Sequence, residues 1–376
     1  MSTVPADTVP TAATEAIAVV LLGTGKVGGA FLQLLRTPAG AGLRLVGAAN
    51  SRHQQTQPAV AELRLGERLR AGGEPRDDVA LLRTLHASAA QNRVIIDATA
   101  SAELAQRHPG WLAQGCHVVT ANKALAGGGL GGWRALQAAC AREIRYGDSA
   151  TVGAGLPILS TLRRLRACGD RVERIEGVYS GSLSYLFNHY DGKQPFSTLL
   201  REALALGYTE PDPRADLAGE DVARKLLILA RTAGFPLERI DIEVESLVPE
   251  PLREIPRDEF LDRLDELDGA IAARRAAAAA RGCVLRHLAR FDAGGAARVR
   301  LCQVPASHPA AHLRGADNLF AFTTSRYRQR PLVIQGCGAG PEVTAQALLG
   351  DILALTPAGS ITVPSCARPF PRPAEP

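Results

Sequence analysis

Lysine is scarce in this 376-residue chain: of 43 basic side chains only four are lysines (Lys26, Lys123, Lys193 and Lys225), and 39 are arginines. Met1 is the sole methionine. Alanine- and arginine-rich usage of this kind reads as a coding bias, so single arginines say little. The lysines say more, because a guanidinium is in effect never deprotonated whereas an ammonium can donate or accept a proton. Other shortages exclude whole classes. Net charge is only +5, and no basic block or aromatic-interleaved stripe is present, which argues against a nucleic-acid partner. No apolar run approaches the ~18 residues of a membrane helix, residues 276–280 being flanked by arginines, so no membrane partner is expected. Residues 1–14 lack the basic start and apolar core of a signal peptide and read as a disordered tail. The seven cysteines (116, 140, 168, 283, 302, 337 and 366) form no CxxC pair, and the expectation is reduced, mostly buried thiols in a cytoplasmic protein.

What is present is ordinary globular composition, 46% hydrophobic and 22% charged, over a length that suggests two domains. Short β-branched runs at Ile17-Ala-Val-Val-Leu-Leu22, Leu43 to Ala49, Val94 to Ala98, Cys116 to Thr120 and Glu143 to Tyr146 alternate with helical stretches, the pattern of a parallel, doubly wound sheet. Between residues 50 and 92 the pattern is weak, and Gln54 to Pro58 reads as a loop. Beyond about residue 148 the grammar changes. Helices are expected over Leu156 to Leu165, Asp216 to Ala233 and Asp258 to Arg281, with strands at Val172 to Tyr179, around 283–291 and 297–304, and at Leu332 to Gln335. The resulting partition is a nucleotide-binding domain over 15–148, a substrate and dimerisation domain over 149–330, a return to the first domain over 331–366, and a proline-rich disordered tail over 367–376.

Gly23-Thr24-Gly25-Lys26-Val27-Gly28 lies between the first strand and the first helix. The glycines there serve a tight turn, close approach of backbone to a pyrophosphate, and helix–strand packing, with the helix N-terminus facing the phosphates. After the second strand an acidic residue would bind the ribose 2′-hydroxyl of NAD. This chain has Asn50-Ser51-Arg52-His53, and a missing carboxylate beside Arg52 favours the 2′-phosphate of NADP, with NAD possible.

Lys123 follows the fourth strand in Thr120-Ala-Asn-Lys123, at the carboxyl edge where such sheets bind ligands. Lys225 closes Asp221-Val-Ala-Arg-Lys225, and the i,i+4 spacing lets Asp221 and Lys225 share a helix face. Glu220 and Arg224 have the same spacing, and periodicity alone does not separate the two pairs. Lysine usage and the apolar Val222, Leu226 and Leu229 favour Asp221 and Lys225. His308 and His312 lack a third ligand, and no GxSxG or nucleophilic cysteine setting occurs.

Taken together, the glycine loop, Thr120 to Lys123, Thr151-Val-Gly-Ala-Gly-Leu-Pro-Ile158, Gly177-Val-Tyr-Ser-Gly-Ser-Leu-Ser-Tyr-Leu-Phe-Asn188, Leu206-Gly-Tyr-Thr-Glu-Pro-Asp-Pro213 leading into Asp221 to Lys225, and Val333 to Gly340 resemble homoserine dehydrogenase. The resemblance spans most of 17–355, loosely over 50–92 and 235–330, and is to a monofunctional short form without a C-terminal regulatory domain, for which feedback inhibition through such a domain is not expected. It implies a Rossmann-type doubly wound domain plus an α+β substrate and dimerisation domain, a homodimer, and NAD(P)-dependent interconversion of aspartate 4-semialdehyde and homoserine on the route to threonine and methionine. By resemblance, Lys225 is the general acid/base, Asp221 its partner and Lys123 the second active-site lysine. Glu210, Asp216 and Asp221 then contact substrate, together with Tyr208 and the Gly153 turn, whose backbone N–H groups can meet the carboxylate. Cofactor contacts fall on Gly23, Thr24, Gly25, Lys26, Val27, Gly28, Arg52, Thr99, Ala100, Lys123 and Gly338. Many members hold a monovalent cation on backbone carbonyls that correspond to Val152, Ala154 and Leu156 with a preceding glutamate; here that position is Ser149. Ala215 and Cys337 also depart from the family pattern. Two rival readings are a non-catalytic NADP-binding regulator, which the joint presence of Lys123, Glu210, Asp221 and Lys225 opposes, and a thioester-forming aldehyde dehydrogenase, which would need a positioned cysteine.

Overall fold

A computed structural model describes residues 17–58, 64–140 and 144–355. The two expected tails, Glu143 and Cys366 lie outside the described residues. The first sheet comprises β1 (Ile17–Leu22), β2 (Leu43–Ala49), β3 (His53–Thr56), β4 (Glu74–Pro75), β5 (Asn92–Asp97), β6 (His117–Thr120) and β7 (Tyr146–Gly147), in the order β4-β3-β2-β1-β5-β6-β7. β1, β2, β5, β6 and β7 run parallel, and β3 and β4 extend the β2 edge in antiparallel fashion. All six residues of β1 are buried, as expected for a parallel strand covered on both faces. The chain passes from β1 to β2 on one side and reaches β5 on the other. That reversal leaves a crevice at the carboxyl ends of β1 and β5, the place where open α/β sheets bind ligands.

The second sheet contains β8 (Val172–Val178), β9 (Ile242–Val244), β10 (Cys283–Asp292), β11 (Ala297–Pro305), β12 (Asn318–Thr324) and β13 (Leu332–Gly336), ordered β13-β12-β8-β10-β11-β9. Its pairings are antiparallel except β9 with β11. Helices Ile158–Ala167, Phe196–Ala205 and Glu220–Thr232 share one hydrophobic core with this sheet through Leu162, Leu200, Leu226, Ile175, Phe291 and Phe320. The last helix, Pro341–Leu353, belongs elsewhere. Its Ala345, Leu348 and Ile352 join Phe31 and Leu35 in the core of the first domain, against helix Lys26–Leu34.

Several expectations are corrected. Residues 54–58 are not simply a loop, since β3 occupies His53–Thr56. It is polar, and its buried Gln54 is satisfied by accepting from Asp77 N at 2.7 Å, a pairing invisible to hydrophobic periodicity. The single helix expected over 216–233 is two, Arg214–Leu217 and Glu220–Thr232, broken at Gly219 with φ +76. The helix expected over 258–281 is likewise divided, into Arg257–Asp262, a 3-10 turn Leu264–Leu267 and Asp268–Ala279. β9 and β12 had no counterpart in the sequence reading. β12 lies inside the sheet with Phe320 and Phe322 fully buried, each contributing about 2 kcal/mol of hydrophobic stabilisation. β13 still pairs with β12, so the chain changes sheets between Gly336 and Pro341 rather than at 331. The thiols are also more exposed than expected. Of the six described cysteines only Cys116 is buried, while Cys140 and Cys168 end helices at the surface and Cys337 sits in the crossing loop. Among the described residues no helix is long and apolar enough to cross a membrane.

Candidate active site

The glycine loop closes the carboxyl end of β1. Gly23 has φ +97, and a Cβ there would lie 2.8 Å from both Ala98 O and Thr99 Cγ2. A Cβ on Gly28 would come within 1.9 Å of Gly23 O, so the first turn of helix Lys26–Leu34 packs directly on the loop. Gly25 faces open space and is the N-cap of that helix, with no side chain satisfying the first N–H groups. Helix Pro341–Leu353 starts at Gly340 in the same uncapped manner. Both termini border one cleft of about 520 Å³, whose lining includes Lys26, Val27, Thr99, Ala100, Gly153 and Gly338. Free N–H groups at two helix starts make this end of the cleft attractive to anions.

The cleft floor is built on a buried carboxylate. Asp97, at the end of β5, is fully buried and accepts from Thr99 N at 2.9 Å and Thr99 Oγ1 at 2.7 Å through Oδ1. Its Oδ2 accepts from Asn122 Nδ2 at 2.9 Å and lies 2.9 Å from His108 Nε2. His108 Nδ1 in turn lies 3.1 Å from the Tyr146 hydroxyl. Asn122 also donates to Ser101 O and accepts from Ala124 N, which pins the segments after β5 and β6 together.

Helix Glu220–Thr232 forms the opposite wall. Its buried Val222, Leu226 and Leu229 fix the roll of the helix, and Asp221 and Lys225 emerge on one edge. Lys225 Nζ lies 2.7 Å from Asp221 Oδ2 and donates to Tyr179 O at 2.7 Å. Lys123, arriving from the other domain, places Nζ 3.6 Å from Asp221 Oδ1. Desolvation in the cleft pushes the Asp221 carboxyl up, but Lys225 and then Lys123 outweigh it and hold the group at about 2. Desolvation lowers the Lys123 ammonium, Asp221 acts against that shift, and Lys225 and Arg224 reinforce it. Glu220 faces elsewhere and pairs with Arg239 at 2.6 Å, which separates the two i,i+4 pairs that periodicity left open.

An adjoining recess of about 640 Å³ shares Lys123 and Glu210 with the cleft and is otherwise acidic, with Asp212, Asp216 and Asp221. Asp216 is occupied: it accepts from Ser182 Oγ at 2.7 Å and from Glu210 N at 2.8 Å, so it holds Glu210 in position. Burial raises the Asp216 carboxyl, those two hydrogen bonds oppose it, and the Glu210 and Asp221 charges add to it. Tyr208 lines neither recess. Its ring stacks on Tyr185 at 4.0 Å and anchors the loop that carries Glu210.

Residues 157–353 match the family described as Homoserine dehydrogenase, and residues 23–143 match that described as Homoserine dehydrogenase, NAD binding domain. The chain belongs to the homoserine dehydrogenase family. It is 39% identical to the homoserine dehydrogenase of Emericella nidulans over 89% of this chain and 96% of that protein. It is 42% identical to the chloroplastic bifunctional aspartokinase/homoserine dehydrogenase 2 of Zea mays over 90% of this chain, but spans only 38% of that longer protein. A crystal structure of a Candida auris protein of unknown function superposes with a TM-score of 0.81 at 35% identity, covering 90% of this chain and 97% of that one.

Against the homoserine dehydrogenase pattern, the structure places Lys123, Glu210, Asp216, Asp221 and Lys225 on two recesses that share Lys123 and Glu210. Arg52 stands apart, exposed at the β2–β3 reversal and absent from the cleft lining. Four contributors escaped the sequence reading: Asn122, Ser182, Arg224 and the Tyr179 carbonyl. Asn122, Ser182 and Arg224 all lie inside quoted motifs, so the signal was available; a backbone carbonyl leaves no sequence signal at all. At the Gly153 turn the position of the preceding glutamate offers a hydroxyl and no carboxylate. Ser149 N and Oγ both donate to Asp351, at 2.9 and 2.7 Å, and Leu156 O accepts from Ile158 N. Among the described residues no group of three or more His, Cys, Asp or Glu side chains could hold a metal ion.

Proposed function

We propose that this chain catalyses the reversible interconversion of aspartate 4-semialdehyde and L-homoserine, uses NADP in preference to NAD, and works as a homodimer. The observation that carries this reading is the Lys225 ammonium fixed between Asp221 and the Tyr179 carbonyl, on a cleft that also contains the glycine-loop residues Lys26 and Val27. When bound, the nicotinamide supplies or takes up the hydride at the carbon that bears the reacting oxygen. Lys225 gives a proton to that oxygen as the aldehyde is reduced and takes it back in the reverse direction, while its charge stabilises the developing alkoxide. Asp221 keeps the ammonium aimed, and Lys123 adds positive charge beside it. The substrate ammonium suits the acidic recess at Glu210, and its carboxylate suits the backbone N–H groups around Gly153, where φ +77 turns the chain.

The residues fit a dinucleotide. Two uncapped helix starts would hold its phosphates, Gly25 leaves room for close approach, and Thr99 and Ala100, which line the same cleft, would border the nicotinamide. For the 2′-phosphate the support is Arg52, which is exposed beyond β2 and has no hydrogen-bond or ion-pair partner for its guanidinium among the described residues. Asn50 is used up shaping that turn, accepting from Arg52 N and His53 N at 2.7 Å each and donating to Leu69 O. For the homodimer, the support is the family resemblance.

The test follows nicotinamide absorbance with homoserine and NADP, then NAD. Turnover is expected with both and with higher kcat/KM for NADP. Folded protein inactive with either would overturn the reading in favour of a cofactor-binding regulator. Lys225→Arg should retain NADP binding and lose roughly a hundredfold or more in kcat, because a guanidinium stabilises charge without releasing a proton.

A further inference from the structure

A lysine side chain has four rotatable bonds, and Asp221 sits on the same helix as Lys225, so that contact alone lets the pair swing together. The hydrogen bond to Tyr179 O comes from a different element and is what sets the ammonium against the rest of the fold. Tyr179 directly follows β8, two residues beyond Gly177 and therefore on the same face of the strand. Gly177 pairs with Phe320 of β12, and a Cβ at Gly177 would lie 1.9 Å from Leu319 O and 2.6 Å from Tyr179 Cε1. The missing side chain lets the Tyr179 ring fold over the strand onto Phe320, with centroids 4.6 Å apart and planes 9° from parallel. Both rings are buried. Phe320 reaches further: a Cβ on Gly153 would lie 3.3 Å from Phe320 Cε2, so the same ring supports the turn on the cleft wall. Among the described residues the buried Tyr179 hydroxyl has no hydrogen-bond partner, which leaves the ring as the part that does the positioning.

We propose that Phe320 and Tyr179 are positioning residues for Lys225: the stacked rings fix the Tyr179 carbonyl, and through it the ammonium, in register with the Gly153 turn. This rests on the acid/base role of Lys225 only for its kinetic consequence; the geometric claim stands without it. In Phe320→Leu, kcat for homoserine oxidation should fall on the order of ten- to a hundredfold, as for a catalytic group displaced by a fraction of an ångström to one ångström. KM for homoserine and NADP should stay within about threefold, and the solvent deuterium isotope effect on kcat should rise because proton transfer becomes limiting. A lower kcat with an unchanged isotope effect, or a raised KM with normal kcat, would mean general damage to the fold and overturn the proposal. If Phe320→Leu does not fold, Phe320→Met, similar in volume to leucine but flexible enough to fill the gap, is measured instead. A second readout needs no turnover: labelling of Lys225 by an amine-reactive reagent, followed by mass spectrometry, should be several-fold faster in the Phe320 variant while Lys193 is unaffected. Unchanged labelling of Lys225 would defeat the proposal whether or not the enzyme turns over homoserine; absence of turnover in wild type with altered labelling would defeat only the assigned activity.

Discussion

Asp97 and Asp221 are both aspartates at the cleft, and they are handled in opposite ways. Asp97 is fully buried and takes hydrogen bonds from the backbone and side chain of Thr99 and from Asn122, with His108 at its second oxygen. Asp221 has a side chain 49% exposed and is balanced by two ammonium groups rather than by a cage of donors. The first is a hub that locks three loop segments, and its value is stability and shape. The second is a charge at the edge of a helix, and its value is the state and direction of the lysines. Buried carboxylates are costly unless every oxygen is satisfied, whereas a half-exposed ion pair adds little to stability and is free to serve a reaction.

The comparison breaks if the two residues exchange phenotypes. Asp97→Ala strips the hub from a dry site and should cost about 3 kcal/mol in denaturant unfolding, with cofactor binding lost along with the fold. Asp221→Asn should leave the unfolding midpoint within about 0.5 kcal/mol of wild type yet lower kcat roughly tenfold or more, read in the homoserine assay. A destabilised Asp221→Asn with normal turnover would invert the distinction. A third carboxylate sharpens it by pH. Burial, reinforced by Asp148 and opposed by the bonds from Ser149, pushes Asp351 up to about 6 from 3.8. A folded-state value raised in this way gives stability that is full below the unfolded value and lost as pH rises through about 6. Asp351→Asn cannot ionise, so its melting temperature relative to wild type should climb between about pH 4 and 6 and then level off. A flat difference across that window would mean Asp351 titrates normally. The smallest expected effect is at the edge of the cofactor region, where Arg52→Ala should raise KM for NADP several-fold more than for NAD, as expected for loss of one charge-assisted contact. Equal changes would remove Arg52 from 2′-phosphate recognition.

Much of the nucleotide half was legible because its signals are local. A β-branched run, a glycine turn and an amphipathic helix occur in sequence within residues 17–35, and the structure reproduces them as β1, the loop and helix Lys26–Leu34. The polar hairpin strand β3 was not legible, since Gln54 is buried by a hydrogen bond to Asp77 N rather than by hydrophobicity. β12 escaped for a different reason: its apolar run Leu319 to Phe322 is only four residues within a seven-residue strand, and its place between β8 and β13 is what makes it core. The long helix expected over 216–233 failed at Gly219, where the left-handed turn ends one helix and starts the next. That break separates Asp216, which holds Glu210, from Asp221, which holds Lys225.

The sequence by itself determined the i,i+4 relation of Asp221 to Lys225, the tight turn at Gly23, and the scarcity that drew attention to Lys123 and Lys225, because helix period and glycine conformation are properties of a few adjacent residues. Only the tertiary structure decided that Asp221 and not Glu220 meets both lysines, that Lys123 crosses from the other domain to within 3.6 Å of it, and that a tyrosine carbonyl aims the ammonium. Those relations follow from which helix face is buried and which strands become neighbours, and the chain settles both by packing residues far apart in sequence.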